Sequence, residues 1–75
     1  MDIDFTRLRY FAAVADELHF TRAAEKLHVS QPALSGQIRA LEEELEVDLF
    51  DRGPAGMTLT GAGRKLLPYA EDIIR

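Results

Sequence analysis

Apolar residues return three or four apart from Phe5 through Leu8, Phe11, Ala12, Ala15 and Leu18, the period of a helix with one inward face. Asp4 stands just before this run, where a carboxylate can N-cap a helix by accepting an orphan backbone N–H. After Leu18-His19-Phe20 the period restarts, and Thr21 is placed to cap a short second helix with Ala23, Ala24 and Leu27 inward. The two alanines let a neighbouring helix cross closely, as a tight helix-turn-helix demands. His28-Val29 leaves room only for an abrupt change of direction. Without a glycine, His28 is expected in the left-handed conformation, where His is enriched, with Val29 plugging the corner. Ser30 then caps a third helix starting at Gln31, and Pro32 falls in its first turn, where a missing N–H costs nothing. Its inward stripe is Leu34, Ile38, Leu41 and Leu45, which leaves Pro32, Ser35, Gly36 and Arg39 around the outer face.

Val47, Leu49 and Phe50 form an extended run, Asp51-Arg52-Gly53-Pro54-Ala55-Gly56 is dense in turn formers, and Met57-Thr58-Leu59-Thr60 alternates as a strand does. This pattern predicts a two-stranded hairpin. Thr60 caps a last helix whose stripe is Ala62, Leu66, Tyr69, Ala70 and Ile73, with Pro68 expected to bend or loosen it and the helix still running at Arg75. The predicted core is Leu8, Phe11, Ala15, Ala24, Leu27, Val29, Leu34, Ile38, Leu41, Leu45 and Leu59. Helix, helix, turn, helix, hairpin, helix is the order of a mainly α winged helix-turn-helix, a three-helix core plus a two-stranded wing, with an extra C-terminal helix. The winged domain is expected over residues 1–60 and the start of a further helical segment over 61–75. Too little domain remains to bury the whole stripe of that last helix, and an apolar face left over is a partner site.

Composition narrows the chemistry. A chain of 75 residues with 47% apolar and 29% charged side chains is one small globular domain, without linker or low-complexity tract. It has no cysteine, and His19 and His28 lack ligand spacing, so neither a disulfide scaffold nor a metal site is expected. Met-Asp-Ile-Asp is acidic where a secretory signal is basic, and no apolar run reaches membrane-spanning length, which predicts a cytoplasmic protein. With 9 Lys+Arg against 13 Asp+Glu the formal net charge is −4, opposite in sign to the basic footprint usual in nucleic-acid-binding domains. The acids are segregated, however. Glu42, Glu43, Glu44 and Glu46 crowd the far end of the third helix and Asp2, Asp4, Asp16 and Glu17 belong to the first, while Arg22, Arg39 and Arg52 remain for the opposite side. Acids at a helix C-terminus oppose its dipole by roughly 0.3–1 kcal/mol each when exposed, so another role is expected of them, such as repulsion that orients the domain on DNA or pairing with Arg7 or Arg64.

The start of the third helix carries groups that read bases. Gln31 offers an amide for an adenine edge, Pro32 an apolar surface for a thymine methyl, and Ser35 a hydroxyl that serves several bases. Helix capping accounts for Ser30 alone; it does not account for an outward Gln and Ser one turn apart. The competing use of such a fold is protein–protein interaction, which the acidic surface would suit, but that would favour an aromatic or aliphatic patch on the outer face of the third helix. An enzyme is not expected: no His, Ser and carboxylate arrangement has a pocket, and Gly61-Ala62-Gly63 lacks the strand and phosphate-loop context of a nucleotide fingerprint.

Leu8-Arg9-Tyr10-Phe11, Phe20-Thr21-Arg22-Ala23-Ala24, Leu27-His28-Val29-Ser30-Gln31-Pro32-Ala33-Leu34-Ser35, Leu41-Glu42, Leu49-Phe50-Asp51-Arg52 and Leu59-Thr60-Gly61-Ala62-Gly63 together resemble the DNA-binding domain of LysR-type bacterial transcription regulators. The resemblance covers nearly the whole chain. It implies a third helix in the major groove of double-stranded DNA, a wing over 50–60 near the minor groove, and base contacts from Gln31, Pro32 and Ser35. It implies backbone contacts from Thr21, Arg22, Ser30, Gln37, Arg39 and Arg52. Arg39 stays open between a solvated charge, a salt bridge to the acidic run and a phosphate contact, and Arg52 between pairing with a local carboxylate and touching DNA. The resemblance also implies that Leu66, Tyr69, Ala70 and Ile73 of the last helix pair with the same helix of a second copy, antiparallel, giving a homodimer on an inverted-repeat operator and, at full length, possible tetramers. No cofactor is implied in this domain; a small-molecule co-inducer would bind a larger C-terminal domain of two α/β lobes. Two positions depart from the family pattern, Gly36, where a basic or polar residue is common, and Ala55, where a second wing arginine is common, and weaker wing contact is expected.

Overall fold

The computed structural model describes residues 4–74 as α1 (Phe5–Glu17), α2 (Phe20–Leu27), α3 (Gln31–Leu45), β1 (Phe50–Gly53), β2 (Gly56–Leu59) and α4 (Gly61–Ile74). Asp2 and Arg75 lie outside the described residues. Three helices begin on a side-chain oxygen. Asp4 accepts the N–H of Thr6 at 2.8 Å, Ser30 that of Ala33 at 3.2 Å, and Thr60 that of Gly63 at 3.1 Å. Each satisfies one donor that the first helical turn leaves unpaired.

The second helix starts differently from expectation. Thr21 is already inside α2, and the cap is His19, whose Nδ1 accepts the N–H of Arg22 at 3.2 Å. Leu18 caps the end of α1 in the left-handed conformation, so Leu18 and His19 are the two residues between the helices and the His19 ring nitrogen does the work of a serine oxygen. Leu18 is therefore a helix terminus, 40% exposed, and not part of the inward stripe. His28 is left-handed as expected, with φ 60°, and Glu46 ends α3 the same way with φ 57°. None of the three turns uses a glycine.

Leu8, Phe11, Ala15, Ala24, Leu34, Ile38 and Leu41 are buried as expected, whereas Leu27, Val29, Leu45 and Leu59 sit at the rim of the core and are only partly covered. Val14, Ala23, Leu49, Phe50 and Ala70 complete the core. Ala23 and Ala24 have almost no exposed surface, which is how α2 approaches its neighbours closely. Among the described residues no polar or charged side chain is counted in the core.

The hairpin is tighter than the run of turn formers suggests. Phe50 pairs with Leu59, Asp51 with Thr58, Arg52 with Met57 and Gly53 with Gly56, antiparallel, so only Pro54 and Ala55 form the turn. Proline fixes one φ and Gly56, at φ 121°, supplies the backbone angle that side chains rarely adopt, which frees Asp51, Arg52 and Gly53 to join the ladder. Entry to β1 is held by Glu42 of α3, whose Oε2 accepts the N–H groups of Leu49 at 2.8 Å and Phe50 at 3.4 Å.

α4 packs along α1, and its Ala70 is completely buried there. Pro68 does not interrupt α4, which runs through it to Ile74; Pro68 is exposed and withholds only the N–H that would reach the Arg64 carbonyl. The first turn of α4 crosses Leu49 so closely that a Cβ on Gly63 would overlap the Leu49 carbonyl oxygen and lie 2.8 Å from Leu59 Cδ2. Backbone cannot yield as a flexible side chain can. Gly63→Ala is expected to cost about 1–3 kcal/mol through overpacking, while Gly61→Ala, whose nearest neighbour would be an Arg64 side-chain atom at 4.0 Å, should be close to neutral; thermal denaturation of the two variants side by side checks the difference. No helix among the described residues is long and apolar enough to cross a membrane.

Candidate nucleic-acid interface

α3 presents its first turn to solvent because Ser30 caps it and Leu34 and Ile38 hold the opposite face inside. Gln31 and Pro32 are exposed and Ser35 is half-buried. One helical turn brings Gln31 and Ser35 together, and the Gln31 Nε2 donates to Ser35 Oγ at 2.9 Å. Gly36 adjoins this pair, and a Cβ on it would meet nothing within 4 Å, so no packing inside the domain demands a glycine there.

A second group forms where the N-terminus of α2 meets the wing. His19, Phe20 and Thr21 share an open cleft with Arg52, Gly53 and Met57. Arg52 is not paired with any carboxylate among the described residues. Its guanidinium lies 4.6 Å from the centroid of the Phe20 ring, a cation–π arrangement, because β1 carries it past α2 and no acid of the wing turns back toward it. Phe20 in turn meets Phe50 edge-on at 6.3 Å, and Phe50 meets Phe11 at 5.5 Å, a row of rings from wing to core. Thr21 and Arg22 are exposed on the first turn of α2, and Arg22 forms no ion pair with a described residue. Unpaired cation and helix N-terminus there suit an anion.

The remaining candidates are less free. Gln37 is half-buried and its Oε1 accepts from Arg7 Nε at 3.0 Å, which turns its amide oxygen toward α1. Arg39 is exposed but lines a shallow depression with Glu42, Glu43, Glu46 and Asp48, without an ion pair to any described residue. Several of the acids are occupied with structure. Arg7 lies 3.7 Å from Glu44, and Lys26 lies 3.1 Å from Asp16 and 3.7 Å from Glu17. The hydrogen bond and charge of Asp16 raise the Lys26 ammonium above its usual range. Of the two arginines expected to answer the acidic run, Arg7 does so, whereas Arg64 donates to the Leu59 carbonyl at 2.9 Å.

On α4, Ala70 is removed from the expected partner face by its burial against α1, and Leu66 is partly covered by the core. Tyr69 and Ile73 remain outside, 68% and 52% exposed. Sequence reasoning missed His19 and Phe20. A polar ring three residues before Arg22, with no glycine, serine or aspartate to cap α2, was the signal available for His19.

Comparison with known proteins places this arrangement. Residues 5–64 match the family model described as "Bacterial regulatory helix-turn-helix protein, lysR family". The chain is 47% identical over 74 residues to an uncharacterized HTH-type transcriptional regulator, YnfL, of Escherichia coli, aligning 99% of this chain with 25% of that protein. It is 53% identical over 75 residues to a probable RuBisCO transcriptional regulator of Synechocystis sp., aligning 97% of this chain with 22% of that one. The chain thus spans about a quarter of the length of these relatives. Among solved structures, the BenM DNA-binding domain in complex with catB site 1 DNA superposes with a TM-score of 0.91 at 43% identity, over 96% of this chain and 81% of that one. Four helices and an antiparallel pair of strands in this order, with the family match running from α1 into α4, make the chain a member of the LysR family of bacterial regulatory helix-turn-helix proteins, a family of regulators and not of enzymes.

Proposed function

We propose that this chain binds double-stranded DNA sequence-specifically as the DNA-binding part of a cytoplasmic LysR-type transcription regulator, with α3 from Gln31 in the major groove and the wing over 50–60 near the minor groove. The observation that carries the reading is the start of α3, where Gln31 and Pro32 are exposed beside a half-buried Ser35 on a fold that superposes at TM-score 0.91 on a relative's DNA-binding domain in complex with DNA. The large apolar side chains left exposed among the described residues are Phe5, Leu18, Val47, Tyr69 and Ile73, none of them in α3, so that helix lacks the patch a protein-binding surface would show. Gln31, Pro32 and Ser35 meet bases; Thr21, Arg22 and Ser30 meet the backbone, with Arg39 and Arg52 beside them and Gln37 able to offer only its amide N–H groups. Two copies joined through α4 place two such helices on an inverted repeat. Residues 61–75 begin the pairing and linking helix, and a C-terminal domain binds the co-inducer.

Fluorescence anisotropy on an inverted-repeat duplex with T and A at the half-site ends, and on random duplex, tests this over a series of salt concentrations. Gln31→Ala should weaken specific binding more than random binding, because it removes readout worth about 1–3 kcal/mol. Arg22→Ala should weaken both together and lower the salt slope by about 1, as loss of one phosphate contact does. An unchanged slope would remove Arg22 from the interface.

A further inference from the structure

A glutamine amide carries one acceptor oxygen and two N–H donors. In this chain one N–H is committed to Ser35 Oγ at 2.9 Å, so what Gln31 can still offer outward is one donor and one acceptor. In the major groove adenine shows the N7 acceptor beside the N6 donor, whereas guanine shows two acceptors, N7 and O6. The tied amide therefore matches adenine with both remaining groups. Opposite guanine its oxygen would face O6, acceptor against acceptor, with no second N–H to offer. An untied glutamine escapes this by turning its amide over, because the terminal torsion is broad and roughly two-fold, and then both N–H groups are available to guanine.

We propose that Ser35 is a positioning residue that makes Gln31 selective for adenine over guanine. The proposal rests on the reading of Gln31 as a base-contacting residue and deepens it. The helix supplies the geometry, since residues four apart stand on one face. Ser30 caps the turn that carries Gln31 and Pro32 fixes the next φ, so the stem of the amide is anchored while Ser35 holds its end. Ser35 accepts this bond and keeps its own O–H as a donor, so it orients Gln31 without giving up its place at the interface. Gly36 brings no side chain into the approach.

The parent chain, Gln31→Ala, Ser35→Ala and Ser35→Thr are each used to select duplexes from a pool with randomised half-sites at one salt concentration, and affinities are then measured on single-position variants. The position read by Gln31 is the one whose base preference flattens in Gln31→Ala. There the parent is expected to favour A over G by about tenfold or more, the scale of one good bidentate pair. Ser35→Ala, which suits a helix, should keep the thermal midpoint and lower that ratio by about fivefold or more. Ser35→Thr keeps the hydroxyl and should keep the ratio. If Ser35→Ala weakens A and G duplexes equally, or if the parent prefers G at that position, the proposal is overturned and Gln31 remains a reader. If Gln31→Ala flattens no position, it is the underlying reading of Gln31 that fails.

Discussion

Leu34→Ala and Ile38→Ala are each expected to lower the free energy of unfolding by about 2–5 kcal/mol, the transfer cost of the lost methyls plus the cavity they leave. Both side chains are fully buried on the inner face of α3, in the core with Phe11, Val14 and Leu41, and neither stands at a rim where solvent could fill the space. A domain has only about 5–15 kcal/mol of stability in total, and a chain of 75 residues sits toward the small end of domains that fold alone. Either truncation should therefore leave a measurable unfolded fraction in urea titration. Leu27→Ala and Leu45→Ala, at partly covered positions, should cost less, and a reversal of that order would contradict the packing of α3.

Ile73→Asp is expected to give a folded monomer with little specific DNA binding. Tyr69 and Ile73 stay exposed on α4 after the domain has closed over Ala70, so their apolar surface is available to a second copy. A carboxylate placed there would be desolvated in the proposed dimer and would repel its counterpart across the two-fold axis. Because Ile73 is on the outside of the domain, the fold itself should tolerate the change. Sedimentation velocity over a range of concentrations reads the assembly, and circular dichroism confirms the helices. A variant that stays dimeric and binds the inverted repeat as the parent does would exclude α4 as the pairing helix.

The helical frame was legible because its signals are local. Asp4, Ser30 and Thr60 carry the oxygen that caps a helix, and Leu34, Ile38 and Leu41 repeat at the period of a buried face. What escaped depends on contacts distant in sequence or on backbone angles that several residues can adopt. His19 takes the cap from Thr21 because Leu18 turns left-handed one residue earlier, an event that no propensity for leucine announces. The strand through Asp51 and Arg52 exists because Pro54 and Ala55 suffice for the turn and Glu42, seven residues before Leu49, ties down its entry. Ala70 reads as one more apolar residue on a stripe, yet its small size is what admits it to the contact with α1 that hides it. At the candidate interface the residue types at the start of α3 were readable one by one. The bond between Gln31 and Ser35, the seat of Arg52 on Phe20 and the tethering of Gln37 by Arg7 depend on side-chain placement, which spacing leaves open.

The row of rings from Phe11 through Phe50 and Phe20 to Arg52 bears on the entropy of association. A long side chain fixed on binding forfeits about 0.5–1.5 kcal/mol of rotamer freedom. Arg52 is already stacked on a ring that is itself braced by the core, so much of that freedom is given up during folding. The wing arrives with its cation pre-organised. If Arg52 meets the DNA backbone as proposed, that order lowers the cost of its contact, and it ties the rigidity of the wing to the packing of α1.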